Sequence, residues 1–193
     1  VVLSDSTQCN LRPIRPDDAD LLVRFHSHLA ARSTYLRFFT FHPTLTASEV
    51  ERFTSVDYVD RLALVVEVAG KLIAVGRLDR HLGTSEAEVA FVVADEYQYH
   101  GIGSLLLDQL AQAARDRGIT TFVADTLSEN HTMLDVFRHS GFEMSSNTEY
   151  GTVTLRFGIG LTETYRVALA ARDQTRHVTP YPLIEADRGA VEC

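Results

Sequence analysis

The sequence is short of several things, and each shortage excludes something. No apolar run approaches the ~20 residues a membrane-crossing helix needs, and no signal-peptide pattern opens the chain, so no membrane partner is expected. There are only two cysteines, Cys9 and Cys193, at opposite extremities of the 193 residues. They form no disulfide framework, which fits a reducing cytoplasm. Positive charge is also in deficit. A formal net charge of −8 argues against non-specific nucleic-acid binding, which needs a basic surface. It suits cationic partners such as amines, and it also serves plain solubility. Lys71 is the one lysine in the chain; every other basic residue besides histidine is arginine. No internal repeat or low-complexity block interrupts the chain.

Catalytic and ligand motifs are missing in an equally informative way. No Gly-Lys-Ser/Thr closes a Walker loop, and no Gly-x-Ser-x-Gly marks a nucleophile elbow. His26 and His28 stand two apart on a predicted helix and diverge. With no His-x-x-x-His and no nearby cysteine, no metal is assigned.

The composition that remains is that of a globular domain, 45% hydrophobic and 23% charged. "LRPIRPDDADLLVRFHSHLA" reads as a short strand, a Pro-Asp turn and a helix from near Asp17. Asp17 and Asp18 sit where the helix dipole favours anions, and Leu21, Leu22, Phe25 and Leu29 form the apolar stripe. A second helical piece follows, capped by Ser48 or Thr46. "RLALVVEVAGKLIAVGRLDR" is a hairpin turning at Ala69-Gly70-Lys71. "EAEVAFVVAD" is a strand apolar on both faces after Glu88, as a covered central strand should be. A helix with Ile102, Leu105, Leu106, Leu110, Ala113 and Ala114 at helical spacing ends at Gly118. "TTFVADTL" is a strand, "SENHTMLDVFRHSGFE" a helix capped by Ser128 or Asn130, and "GTVTLRFGI" a closing strand. Leu161, Tyr165, Ala168 and Leu169 share one face of a further helix, and residues 173–193 read as a linker or tail. The aromatic run Tyr35, Phe38, Phe39 and Phe41 is read first as core packing, with a wall of an acceptor channel as its second reading.

The informative stretch is Gln98-Tyr99-His100-Gly101-Ile102-Gly103-Ser104, directly between an apolar strand and an amphipathic helix. A glycine turn at a helix N-terminus is where a phosphate can approach the backbone. It is not a dinucleotide fingerprint, because the third glycine position holds Leu106. The Gln-x-x-Gly-x-Gly pattern resembles the acyl-CoA-binding signature of the GNAT acetyltransferase superfamily. "NHTMLDVFRHSGFE" is similar to that family's second motif: an Asn, a helix, then Gly-Phe opening a strand. The order of elements from Leu11 to Gly158 follows the family. The implied fold class is α/β (α+β), a central mixed, mostly antiparallel sheet flanked by helices. Residues 1–10 would be a tail, 11–158 the acetyltransferase domain, and 159–193 a C-terminal helix and tail. "LRPIRPDDADLL" and Ser33-Thr34-Tyr35-Leu36-Arg37-Phe38-Phe39 resemble the bacterial protein lysine acetyltransferases. Those domains are commonly joined to a regulatory or acyl-CoA-synthetase-like module, which the start at Val1 and the tail helix would suit. The single lysine then has two readings: codon usage in a GC-rich genome, or an enzyme that avoids modifying itself.

The resemblance implies acetyl-CoA as cosubstrate. Backbone N–H groups of Tyr99, His100, Gly101, Ile102, Gly103 and Ser104, following Gln98, would cradle its pyrophosphate, with Gly101 and Gly103 keeping Cβ atoms out of the approach. Phe91, Val92 and Val93 would offer strand backbone to the pantetheine, and an N–H there would face the thioester oxygen. Asn130 would bond the pantetheine arm, with Met133 and Phe137 beside it. Many family members place a Tyr where Phe137 stands, to protonate the departing thiolate. Here the thiolate leaves unprotonated or water serves. A lysine acceptor with pKa near 10.4 is neutral to only about one part in 2,500 at pH 7, a handicap of about 4.6 kcal/mol, so a general base is worth having. Asp95 and Glu96 sit at the turn. Glu86 and Glu88 share a strand face by period-two alternation. Glu88 is the first choice: it precedes Val89-Ala90-Phe91, lies nearest the thioester, and holds the family's catalytic-glutamate position. A carboxylate in so apolar a strand should be a stronger base than a solvated one. Glu86 is the reserve. The expected activity is acetyl transfer to protein lysines; the alternatives are acetylation of a small amine, or an acyl-CoA-binding regulatory module without catalysis.

Overall fold

Many of the helices and strands follow local signals in the chain, and the sheet they build splits between two of its central strands. The computed structural model describes residues 7–175. In chain order the elements are β1 (Asn10–Pro13), α1 (Ala19–His28), α2 (Ala31–Phe38), α3 (Ala47–Thr54), β2 (Arg61–Val68), β3 (Lys71–Arg80) and β4 (Glu86–Val93). There follow α4 (Ile102–Arg115), β5 (Thr121–Leu127), α5 (His131–Arg138), β6 (Met144–Glu149), β7 (Thr152–Gly158) and α6 (Glu163–Thr175). The seven strands form one mixed sheet in the order β1-β2-β3-β4-β5-β7-β6. Every neighbouring pair is antiparallel except β4 with β5. The α/β architecture expected from the sequence is the one observed.

Burial explains why each face is covered. β3 is buried from Leu72 to Leu78, as a strand sandwiched between two layers must be. On one side Ile73, Leu78, Val89 and Phe91 meet Leu106 and Leu110 of α4 and Leu134 of α5. On the other, Val65, Leu72 and Val75 meet Leu22 and Phe25 of α1, with Leu45 and Phe53 against them. β7 alternates cleanly, with Val153, Leu155 and Phe157 in and Thr154, Arg156 and Gly158 out.

Several local expectations are refined. The Pro-Asp turn is a short 3-10 helix, Pro16–Asp18, before α1. Asp18 does not merely face the dipole: it takes two bonds from Arg12 at 2.7 Å each and one from the Arg15 N–H at 2.8 Å. The segment read as a second helical piece is two helices, and Thr46 caps α3 in a reciprocal box with Glu49. Asn130, not Ser128, caps α5. The aromatic run is not a core stripe, for Tyr35, Phe39 and Phe41 are exposed. α2 is amphipathic over too few turns to bury both of its sides. α6 starts after Leu161, which is exposed, and extends to Thr175, so residues 173–175 are helix rather than linker. It packs into the main core: Tyr165 is buried and stacks on Phe142 at 4.3 Å, and Arg172 pairs with Asp108 at 2.8 Å. Residues 1–6 of the expected N-terminal tail and 176–193 of the C-terminal tail lie outside the described residues.

Candidate active site

The discontinuity in the sheet makes the site. β4 pairs with β3 from Ala87↔Arg80 through Val93↔Ala74. With β5 it pairs only from Glu86↔Thr121 to Glu88↔Val123. β5 then leaves it and runs on against β7 as far as Leu127↔Thr152. Among the described residues no strand joins that edge of β4 over Val89–Val93. Backbone N–H and C=O groups there need partners, and a slender ligand with amides of its own can supply them. Phe91 turns its side chain into the core, so backbone is what it has to offer; Val92 and Val93 are half-buried.

The wedge opens towards the glycine turn. After a 3-10 turn, Asp95–Tyr97, the backbone enters the left-handed region at Tyr99 (φ 67°) and again at Gly101 (φ 79°). Gly101 is the N-cap of α4 and, unlike Thr46 or Asn130, places no side chain over the helix end. The first N–H groups of α4, on Ile102, Gly103 and Ser104, have no intrahelical acceptor and carry the positive end of the dipole. Nothing lies within 4 Å of where a Gly101 Cβ would be. This uncapped cradle at the mouth of a strand split fits the pyrophosphate and pantetheine of an acyl-CoA.

The second glycine has a packing role besides the expected one. A Cβ on Gly103 would come 3.1 Å from Val136 Cγ2 on α5. Gly103 is there for helix–helix approach, while Gly101 is there for its positive φ. Ile102 is buried, so its backbone alone faces the cradle. Tyr99 is exposed, and its hydroxyl lies 3.1 Å from Thr132 Oγ1 at the start of α5. His100 and Ser104 are half-buried at the turn. Asn130 Oδ1 accepts the Met133 N–H at 3.2 Å, which leaves its amide nitrogen as the end suited to a pantetheine carbonyl. Met133 is half-buried. Phe137 belongs to the core, 2% exposed, with Phe157 at 5.4 Å and Phe91 at 6.0 Å. It supports the floor of β4 from beneath.

Gln98 ties the turn to its neighbours. Its Nε2 donates to Val93 O at 3.3 Å and to Ser33 Oγ at 3.4 Å. Ser33 in turn donates to Asp95 Oδ1 at 2.5 Å, and Asp95 Oδ2 accepts the Ala30 N–H at 2.9 Å. The turn is thereby tied to α2, a link between residues more than sixty apart that no sequence pattern signals.

The two strand glutamates are separated by their partners. Glu86 is held by Arg156 of β7 through both carboxylate oxygens, one at 2.6 Å, and this bond and charge keep its carboxyl below the usual carboxylate range. Glu88 makes no ion pair among the described residues, is exposed, and stands at the last rung before β4 and β5 part. Its chain neighbours Ala87 and Val89 point to the other face and do not enclose it. On the Glu88 face lies a cavity between α1, α2 and the sheet, lined in part by Arg37, Arg77, Ala90 and Val92.

Comparison with known proteins agrees with this geometry. The acetyltransferase (GNAT) family model matches residues 28–142. Acetyltransferase Pat of Mycolicibacterium smegmatis is 33% identical over 135 residues, covering 68% of this chain and 40% of the relative, so the chain spans less than half of that protein. The crystal structure of the GNAT domain of S. lividans PAT is 41% identical with a TM-score of 0.78, covering 82% of this chain and 94% of that one. A cAMP-binding acyltransferase from Mycobacterium smegmatis is 27% identical with a TM-score of 0.60, over 91% of this chain and 52% of the other. The family match spans more than half the residues and takes in the split strand, the uncapped glycine turn and the Asn130 helix: the chain belongs to the GNAT acetyltransferases, which use acetyl-CoA.

Proposed function

We propose that the protein transfers acetyl from acetyl-CoA to the ε-amine of lysines in protein substrates, with Glu88 as general base. The observation that carries this reading is the position of Glu88. It is a carboxylate without an ion-pair partner among the described residues, at the apex of the β4/β5 split, while its neighbour Glu86 is committed to Arg156. The likeness to proteins named Pat supports lysine as the acceptor.

Bound acetyl-CoA supplies an activated acyl group; the chain's own residues hold and expose it. The N–H groups opening α4 take the pyrophosphate, the free edge of β4 takes the pantetheine amides, and the Asn130 amide donates to the same arm. Directed along that edge, the thioester lies near the apex, where Glu88 accepts the proton of the attacking amine directly or through water. Phe137 offers no proton to the departing thiolate, whose low pKa lets it leave as the anion or with a proton from water.

The reading is tested by incubating the protein with labelled acetyl-CoA and, separately, a cell lysate or a panel of amines. Label is expected in protein lysines and is expected to be lost with Glu88→Gln. Label confined to small molecules would move the function to small-amine acetylation. No transfer at all would leave an acyl-CoA-binding module.

A further inference from the structure

On the Glu88 face of the sheet, α1, α2 and α3 roof a cavity of about 30 Å³. Its walls are apolar and aromatic, with Phe25, Phe38 and Phe53 among them, yet three nitrogen-bearing side chains also line it: His26, Arg37 and Arg77. His26 is 5% exposed, and its buried Nε2 has no hydrogen-bond partner among the described residues. Arg77 is 8% exposed; it gives one N–H to Phe53 O at 2.9 Å and lies over the Phe53 ring at 4.2 Å. Arg37, half-buried, lies 5.1 Å from the centre of the Phe38 ring. Neither arginine makes an ion pair among the described residues. Of the two carboxylates within electrostatic reach of Arg37, Asp79 is bonded to Arg61 at 3.0 Å, and Glu88 is the proposed base.

This is an unbalanced site. Two guanidiniums without paired counter-charge sit in an aromatic cavity, in a chain whose overall charge is negative. Burial pulls Arg37 below its ordinary range and takes Arg77 down to about 9, with Arg37 itself the next cause for Arg77. Buried cations left in this condition are costly, and an anion between them offsets that cost. The planar fork of arginine matches a carboxylate, and the neutral Nε2–H tautomer of His26 adds a third donor. The volume admits a group of a few heavy atoms, about the size of a carboxylate.

We propose that His26, Arg37 and Arg77 form a carboxylate-binding subsite for the acceptor, receiving an acidic side chain close in sequence to the target lysine. The subsite is on the face that carries Glu88, so a substrate anchored there presents its amine to the base. The same positive charge disfavours an ammonium and favours the free amine that attacks. This inference rests on the lysine-acceptor reading above and narrows it to lysines with an acidic neighbour.

The test compares kcat/KM for two lysine peptides that differ only in a flanking Glu or Gln, with wild type, Arg37→Gln and Arg37→Lys. Wild type is expected to prefer the Glu peptide by about tenfold, the difference a charge-assisted bond makes. Arg37→Gln should bring the ratio close to one, and Arg37→Lys, which keeps charge without the fork, should fall between. Thermal melts and acetyl-CoA titration confirm that each variant is folded. Because a ratio is read, a general loss of activity does not imitate the result. Equal efficiency on both peptides in wild type would overturn the proposal. Free glutamate accepted in preference to the Glu peptide would place the carboxylate on a small amino acid and overturn the peptide assignment. If no peptide is acetylated, the lysine reading itself has failed. The subsite is then read by titrating glutarate into the protein and following the His26 imidazole by NMR. A saturable shift lost in Arg37→Gln supports the carboxylate site, and no shift overturns it.

Discussion

Ser33 donates its hydroxyl to Asp95 at 2.5 Å, and that bond joins α2 to the turn that opens α4. Asp95 also accepts the Ala30 N–H at the start of α2, and Gln98 returns to Ser33 from within the motif. The first residue of Gln-x-x-Gly-x-Gly is therefore a brace for the turn. Asp95→Ala removes two bonds at an exposed site, each worth about 0.5–1.5 kcal/mol. A fall in Tm of a few degrees is expected, since about 1 kcal/mol moves a domain of this size by roughly 2–4 °C. Acetyl-CoA affinity should fall several-fold with it. Calorimetric titration and thermal melts check both; unchanged affinity would show that the turn holds its shape without α2.

Glu88→Gln is expected to slow acetyl transfer by about 10²–10³ while acetyl-CoA affinity changes little, because removing a base leaves the cradle intact. Glu86→Gln should leave the chemical step near wild type, its carboxylate being committed to Arg156. Single-turnover rates with saturating acetyl-CoA separate the two. The large loss falling on Glu86→Gln would reassign the base.

The two glycines of the turn should fail differently. Gly101→Ala forces a side chain into a left-handed backbone, costing about 1 kcal/mol, and reshapes the N–H groups that face the phosphate. Gly103→Val crowds Val136 and pushes α5, with its Asn130 cap, away from α4. Acetyl-CoA affinity should therefore drop in both, whereas Gly103→Val combined with Val136→Ala should recover binding in part. Recovery of the Gly101→Ala protein by Val136→Ala would contradict this division of roles.

The fold is legible where one element carries its own signal. The closing strand "GTVTLRFGI", a cap at Ser48 or Thr46 and the strand-turn-helix run through Gly101 all act within a few residues. The cradle was readable for the same reason, being one contiguous turn. Glu88 and Glu86 could be placed on one face by alternation, but the choice between them depends on Arg156, seventy residues away and brought near by the insertion of β7 beside β5. The packing role of Gly103 is not legible in the sequence because its neighbour Val136 is on another helix. The cavity holding Arg37 and Arg77 was invisible for a related reason. Arg37 lies in a stretch dominated by aromatics, three of which are exposed, and Arg77 lies inside a strand that reads as ordinary core.

Stability should fall in two separate steps as pH is lowered. Burial, then the charge of His42, holds the folded pKa of His26 below its ordinary 6.5, with Glu49 pulling the other way. Arg37 and Arg77 face it across the cavity, and His42 lies 3.2 Å from Glu49. Between the folded and unfolded values the unfolded chain binds the extra proton, so stability rises with pH there. The contribution is complete above about 6.5 and is lost as pH falls below it towards the folded value. Asp18 acts lower down. Bonds from Arg12, opposed by burial and aided by the Arg15 N–H, hold its carboxyl below the ordinary 3.8. Its contribution is present above 3.8 and lost as pH falls through the folded value. Melts at pH 7.5, 5.5, 4.5 and 3 should show an early decline that His26→Leu removes and a late one that it leaves in place. An early decline of the same size in His26→Leu would assign that step to another group, with His42 the first to examine.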